Sequence, residues 1–479
     1  MITLRETPEF WRSGATPRAV TDASFPGGTM KAEILARYAD RPLPRYTSYP
    51  TAPHFIAAVG SGSYRQWLGA VQSGSAVSLY LHLPFCRSMC WYCGCHTTVT
   101  ARDEPIERYV DALHREIDLV ADALPGRITA RHIHFGGGTP TLMQSAQFVA
   151  LMAKLRDRFD VPADAEIAIE IDPRTLERPM VDALAAGGVT RASLGVQSFD
   201  PLVQRAINRI QTFDETAAAV ADLRGAGIAA INFDLIYGLP HQTVDSCLDT
   251  AARALELKPD RFAVFGYAHV PTFKLHQRKI EESALPDGAD RHAQAEAIAA
   301  ALAGADYRRI GLDHYARPTD ALAIAADNGA LHRNFQGYTI DACETLLGFG
   351  ASAIGRLPQG YVQNAVLIGD YQRRIAANDL AVGKGRAFAP EDRLRAAVIE
   401  RIMCDYRVDL DEVCGRFGAD PESLLASAEG LEELGDDGIV QRDRNIIVIA
   451  DNARPLVRVL AAVFDQYLGD APARHSRAV

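Results

Sequence analysis

From Val77 to Val270 the chain repeats one unit, a short apolar run followed by a longer amphipathic stretch. A run of this length suits a buried strand, and apolar residues three and four apart in the next stretch make a helix that covers it. A helix between two strands returns the chain to its starting end, so successive strands point the same way and build a parallel sheet. Six strand runs stand out: VSLYLHL (77–83), RHIHFGG (131–137), AEIAIEI (165–171), TRASLGV (190–196), AAINFDLIYG (229–238) and RFAVFGYAHV (261–270). Helices are expected at Ile106 to Leu124, Ser145 to Phe159, Thr175 to Ala186, Pro201 to Ile207 with Asp214 to Ala226, and Thr243 to Leu257.

Polar residues and glycines close almost every run. Cysteines follow the first, Gly137 to Thr139 the second, and Glu170 and Asp172 lie in the third. Gln197 and Ser198 follow the fourth, Asp234 and Tyr237 lie in the fifth, and Tyr267 to His269 end the sixth. In a parallel βα barrel these ends share one face, where active sites are built. Six strands leave such a barrel open, with room for a large substrate. The expected class is therefore α/β, an incomplete barrel with an extended N-terminal segment and a mostly helical C-terminal domain.

Four units are expected along the chain: a lead-in and entrance segment over 1–76, the partial barrel over 77–285, barrel completion with substrate-side motifs over 286–388, and a helical unit over 389–479. The lead-in holds at most a short helix near Thr29 to Ala39, and PRYTSYPTAPHF (44–55) reads as an extended, docked segment. The last unit has the outline of a winged helix. Its helices hold as many acids as bases, so a structural or lid role is favoured over DNA binding.

A formal charge of −10 argues against broad nucleic-acid binding, which rests on Lys and Arg neutralising phosphates. An acidic ligand must meet a local basic pocket. The N-terminus lacks the apolar core of a signal peptide, and no run of about 18 apolar residues is present, so a cytoplasmic protein without membrane contact is expected.

Eight cysteines are distributed unevenly, with Cys86, Cys90, Cys93 and Cys95 packed into one loop. In a reducing compartment such clustering reads as metal ligation rather than a disulfide framework. Cys86, Cys90 and Cys93 form Cys-x3-Cys-x2-Cys, which holds three irons of a 4Fe-4S cube and leaves the fourth open to a small molecule. The rival is a closed zinc site using Cys95 as fourth ligand. Closed zinc sites usually combine two separated knuckles, and no second knuckle follows. Cys95 is then a spare thiol, either structural or placed near the chemistry, and is the one candidate catalytic residue.

HFGGGTP (134–140) lets a ligand approach the backbone directly, and it lacks the Gly-x-Gly-x-x-Gly spacing of a dinucleotide site. Glu170 suits ribose hydroxyls, Arg209 a carboxylate, and Asp234 an amine or a ribose. His314, Arg317, His332 and Arg333 are the basic groups placed nearest an acidic substrate.

Together these motifs resemble the oxygen-independent coproporphyrinogen III oxidases of the HemN type, radical SAM enzymes of haem biosynthesis. The likeness runs from position 44 to the C-terminal helix through YTSYPTA, LHLPFCRSMCWYCGC, HFGGGTPT, IEIDPR, LGVQSFD, NRIQ, FDLIYGLP, FGYAHVP, LDHYARP, LHRNFQGYT and LGFGASAI. The resemblance implies an incomplete (β/α)6 barrel holding a 4Fe-4S cluster on Cys86, Cys90 and Cys93, with two S-adenosyl-L-methionine (SAM) molecules in one site. It assigns Tyr80, Gly137, Glu170 and Ile354 to the cluster-bound SAM. Tyr92, Gly138, Thr139, Gln197, Arg209, Asp234 and Ala268 go to the second. Two propionates of coproporphyrinogen III become the vinyl groups of protoporphyrinogen IX: SAM is reductively cleaved, the resulting radical removes a hydrogen from the propionate β-carbon, and carbon dioxide and an electron leave. A flavodoxin or ferredoxin as electron donor and a monomeric state are implied with it. Tyr92 stands where the family often has Phe, and the lead-in is longer than the family's.

The nearest rival is a relative on the same scaffold that binds haem as a chaperone or methylates another substrate. Chaperone relatives lack the Cys-x-Cys ending and the long C-terminal motifs, both present here as Cys93-Gly94-Cys95 and LHRNFQGYT. A zinc-stabilised regulatory protein is the distant alternative.

Overall fold

The structure, a computed structural model, describes residues 32–39 and 41–469. Residues 1–31 and 40 of the lead-in, with the start of the helix expected near Thr29 to Ala39, lie outside the described residues. The helix is present at Ala32–Ala39.

All six expected strands form: β1 (Ala76–Leu83), β2 (Thr129–Gly137), β3 (Glu166–Ile171), β4 (Arg191–Gln197), β5 (Ala230–Tyr237) and β6 (Arg261–Gly266). They lie side by side in chain order and all are parallel. Helices Glu104–Ala123, Ser145–Arg158, Arg178–Ala186, Phe213–Gly225 and Val244–Glu256 connect them, close to the expected bounds. The sixth run was read four residues too long, because β6 stops at Gly266 and the chain there turns out of the sheet.

A seventh parallel strand, β7 (Thr345–Phe349), pairs with the free edge of β1. Beyond it three antiparallel strands, Ile354–Leu357, Gly360–Asn364 and Val382–Ala387, extend the sheet. At the other edge His314–Ala316 runs antiparallel to β6 and pairs with Arg308–Ile310. Val382–Ala387 and Arg308–Ile310 end the strand order without pairing to each other, so the barrel stays open.

Strand alternation decides which side chains become chemistry and which become core. In β1, Val77, Leu79, Leu81 and Leu83 are buried in the main core, while Ser78, Tyr80 and His82 line an interior cavity. In β3, Ile167, Ile169 and Ile171 join the same core, and Ala168 and Glu170 line the cavity. Each such aliphatic side chain contributes about 1.5–3 kcal/mol on burial.

A second core belongs to the C-terminal unit. Helix Asp392–Asp405 packs there with a three-stranded antiparallel sheet of Arg407–Asp409, Ile446–Ile449 and Val440–Asp443 and with helix Val457–Ala462. Tyr38, Leu43, Tyr46 and Tyr49 are buried in that core, so the N-terminal strap is stitched onto the C-terminal unit. Tyr46 donates to Asp465 at 3.0 Å, and the Gln466 N–H donates to the Tyr49 hydroxyl at 3.1 Å. Among the described residues no helix is long and apolar enough to cross a membrane.

Candidate active site

The chain leaves β1 through Pro84 and Phe85 into the cysteine loop, and the short parallel pair of Phe85–Cys86 with Thr98–Val99 closes its base. Neighbouring segments grip the loop by its backbone. Trp91 N–H donates to Ile207 O at 2.8 Å, and Asn208 Nδ2 donates to Met89 O at 2.8 Å. From the far side Gln277 Nε2 reaches Tyr92 O at 3.0 Å, His276 Nε2 lies 2.7 Å from Cys93 O, and Lys274 Nζ reaches Cys95 O at 2.9 Å. Those last three grips come from a segment, TFKLHQRK, that carries no motif, and sequence reasoning missed it.

Each of the three sulfurs is met by donors. Thr97 Oγ1 donates to Cys86 Sγ at 3.3 Å, and the Cys95 N–H donates to Cys93 Sγ at 3.4 Å. Arg174 and Arg209 each place a guanidinium nitrogen 3.6 Å from Cys90 Sγ. Donors and cations of this kind favour thiolate over thiol. Hydrogen bonding from Cys95 lowers the Cys93 thiol to about 7, while burial opposes the shift. Burial pushes the Cys86 thiol up, with Thr97 and Thr139 pulling it back. The set suits a soft metal group held by thiolates. Cys95 is the donor in its pair with Cys93.

The glycines of HFGGGTP are demanded by close approach. A Cβ on Gly138 would stand 2.4 Å from Phe85 O, and Gly138 N–H donates to Leu83 O at 2.9 Å. Gly137, at φ +120°, offers its N–H to Glu170 Oε2 at 3.0 Å. Burial works against the charge on Glu170, but His134, 3.4 Å away, and the Gly137 N–H hold its carboxyl below the usual range. Asp234 accepts from Asn232 at 2.9 Å and from Ser193 at 3.2 Å. Burial and the charge of Glu170 nevertheless push it up to about 7.

Two adjoining cavities, one at the carboxyl ends of the strands and one running down the barrel interior as far as Glu166, Arg191 and Arg261 at the strand starts, receive every expected cofactor residue. One, of about 650 Å³, is lined by Cys86, Cys90, Cys93 and Cys95, and by Tyr92, Gly138, Thr139, Gln197, Arg209, Asp234 and Ala268. The other, of about 600 Å³, is lined by Tyr80, Gly137, Glu170 and Ile354. They meet along Cys95, Gly137, Glu170 and Asp234, which line both. Gln197 reaches its place through a β-bulge at Gly195 and a left-handed backbone (φ 68°) at the end of β4.

The basic groups expected near the substrate divide. His314 and Arg333 line the second cavity. Arg317 does not: the strand before it runs antiparallel to β6 and delivers it to the amino ends of the sheet, where it donates to Pro259 O at 3.1 Å. His332 points away, 3.3 Å from Glu400.

Residues 80–254 match the model of the Radical SAM superfamily. The oxygen-independent coproporphyrinogen III oxidase of Bradyrhizobium diazoefficiens is 59% identical over 450 residues, covering 94% of this chain and all of the relative. The chain belongs to the oxygen-independent coproporphyrinogen III oxidase family. The oxidase of that name from Paracoccus denitrificans is 43% identical, covering 92% of this chain and 97% of its own. Among solved structures, coproporphyrinogen III oxidase (HemN) from Escherichia coli, described as a radical SAM enzyme, superposes with a TM-score of 0.85 at 39% identity. It covers 88% of this chain and 97% of its own. As a member of the oxidase family this chain is a radical SAM protein with the incomplete barrel expected for it, and its fit to a 4Fe-4S cluster and SAM follows from the donor set above.

Proposed function

We propose that this chain converts coproporphyrinogen III to protoporphyrinogen IX without oxygen, by oxidative decarboxylation of two propionates, using one 4Fe-4S cluster and two SAM molecules. Cys86, Cys90 and Cys93 hold the cluster. Tyr80, Gly137, Glu170 and Ile354 hold the cluster-bound SAM, and Tyr92, Gly138, Thr139, Gln197, Arg209, Asp234 and Ala268 hold the second. The single observation that carries this reading is the convergence of both residue sets on two adjoining cavities beside the cysteine loop, with Gly137, Glu170 and Asp234 on the seam between them.

Bound there, the cluster and SAM supply hydrogen-atom abstraction from an unactivated carbon. The protein's own residues do the rest. Arg174 and Arg209 set donors on the Cys90 sulfur, and Gly137 and Gly138 let ligands and the loop approach the end of β2. Asp234 and Glu170 offer carboxylates to amine or ribose groups.

We take the enzyme to be cytoplasmic and monomeric, fed by a flavodoxin- or ferredoxin-type donor. Anaerobic incubation with SAM, a reductant and coproporphyrinogen III tests the reading. Protoporphyrinogen is the expected product. SAM cleavage without porphyrinogen conversion would favour the chaperone or methyltransferase reading. The cluster assignment has its own test: the brown anaerobic protein should lose its broad absorption near roughly 400 nm on Cys90→Ser.

A further inference from the structure

Arg45, Arg333 and Arg458 come from the N-terminal strap, a β-hairpin between β6 and β7 (His332–Asn334 with Gly337–Thr339) and helix Val457–Ala462, yet all three line one cavity of about 710 Å³. That cavity shares Gly266, Tyr267, Ala268 and Val270 with the cysteine chamber. Arg45 and Phe265 line all three chambers, so they stand where the three meet.

The cluster is costly as it stands. Arg458 is only 8% exposed, and one of its nitrogens donates to Leu43 O at 3.2 Å. Burial, with the charges of Arg45 and Arg333, brings its guanidinium down to about 10 from the ordinary 12.5. Arg333 lies over the Tyr338 ring at 4.4 Å and donates through Nη2 to Arg45 O at 3.3 Å. Its Nε and Nη1 are buried and have no hydrogen-bond partner among the described residues.

Four acids line the same cavity: the charge of Asp313 bears on Arg45, Arg333 and Arg458, one carboxylate for three cations, and Asp287 accepts from the Asp290 N–H of its own helix at 2.9 Å. Asp313 is 2.7 Å from His314 Nδ1, Glu296 lies 3.8 Å from Arg309, and Glu282 lies 3.1 Å from His269. Gathering like charges in a partly dry cavity is unfavourable unless anions complete the site. The planar fork of Arg matches a carboxylate with two parallel bonds.

We propose that Arg45, Arg333 and Arg458 form the carboxylate cradle for the porphyrinogen propionates that are not being converted, so that a reacting propionate is held toward the cysteine chamber. This rests on the function proposed above. It adds a reason for the strap and the C-terminal unit to be stitched together, since neither alone completes the cradle.

The test uses the cluster-loaded enzyme, with coproporphyrin III as a fluorescent ring bearing the same propionates. Arg45→Gln and Arg458→Gln should each weaken its binding and raise the KM for coproporphyrinogen by about tenfold or more, as loss of a charge-assisted bond does. SAM binding and iron content should stay within about twofold, and Arg45→Lys should recover part of the loss. Arg317→Gln, at the opposite end of the sheet, should change nothing. Unchanged porphyrin binding in both Gln variants overturns the proposal. So does a loss of SAM binding with porphyrin binding intact, which would make the anion the SAM carboxylate. If the wild type binds coproporphyrin through these arginines but never converts coproporphyrinogen, the proposed function fails and the cradle stands.

Discussion

Arg209 places Nη1 3.6 Å from the sulfur of Cys90, while its Nη2 donates to Gly195 O at 2.7 Å and meets Asp172 at 3.3 Å. One side chain thus ties the cysteine loop to the ends of β3 and β4. Arg209 and Asp172 are both largely buried, and Arg174 is the second cation on Asp172, at 2.6 Å.

Removing Arg209 leaves Asp172 with one partner and Cys90 with one donor. Arg209→Ala should lower stability by about 3 to 5 kcal/mol, the range for breaking a buried pair. It should also lower iron content after anaerobic reconstitution. Thermal unfolding and iron analysis read the two effects. An unchanged melting temperature with full iron would show that Arg174 suffices.

Gly138 offers a sharper steric test. Its added Cβ would lie 2.4 Å from Phe85 O and 2.7 Å from Thr97 Oγ1, and the first of these is backbone that cannot swing aside. Gly138→Ala should therefore displace the cysteine loop, costing about 1 to 3 kcal/mol, and reduce cluster loading, while the helical and strand content by circular dichroism stays constant. Full cluster loading in the variant would mean that the loop relocates freely.

Much of this was legible in advance, for reasons visible in particular residues. Val77 to Leu83 read as an apolar run and so as a strand, while their alternation with Ser78, Tyr80 and His82, which divides core face from cavity face, became plain only with the sheet in view. The thiols and glycines were legible because their chemistry admits few substitutes. β7 was harder to see: TLLGF is five residues long, and its pairing with β1 spans more than 260 positions. Arg317 was misplaced because a motif gives identity without direction, and the direction came from the antiparallel strand before it. The grips of Lys274, His276 and Gln277 are made to backbone carbonyls, which leave no trace in a pattern of side chains.

The strap makes a prediction about the C-terminal unit. Tyr46 is buried against it with its hydroxyl on Asp465. Tyr46→Ala removes an aromatic anchor worth about 3 kcal/mol or more locally, so residues near 41–55 should become accessible to protease. The barrel should remain folded, and the KM for porphyrinogen should rise because Arg45 is no longer held. Protease resistance equal to the wild type would refute the anchoring role.

Asp234 gives a pH dependence with a definite sign. Its folded value of about 7 lies above the ordinary 3.8, chiefly through burial and then through the charge of Glu170. A carboxyl raised on folding takes up a proton, so it makes stability fall as pH rises from about 4 to about 7 and adds no further slope above that. A ligand ammonium group placed beside the carboxylate reverses the balance, because it favours the charged form. SAM affinity at this site should therefore weaken by up to tenfold for each pH unit below about 7 and level off above it. Asp234→Asn removes the titrating group while keeping the shape. Calorimetric titration of SAM across this range should show a flat, weaker profile for the variant, and a variant with the wild-type slope would assign the titration to another group.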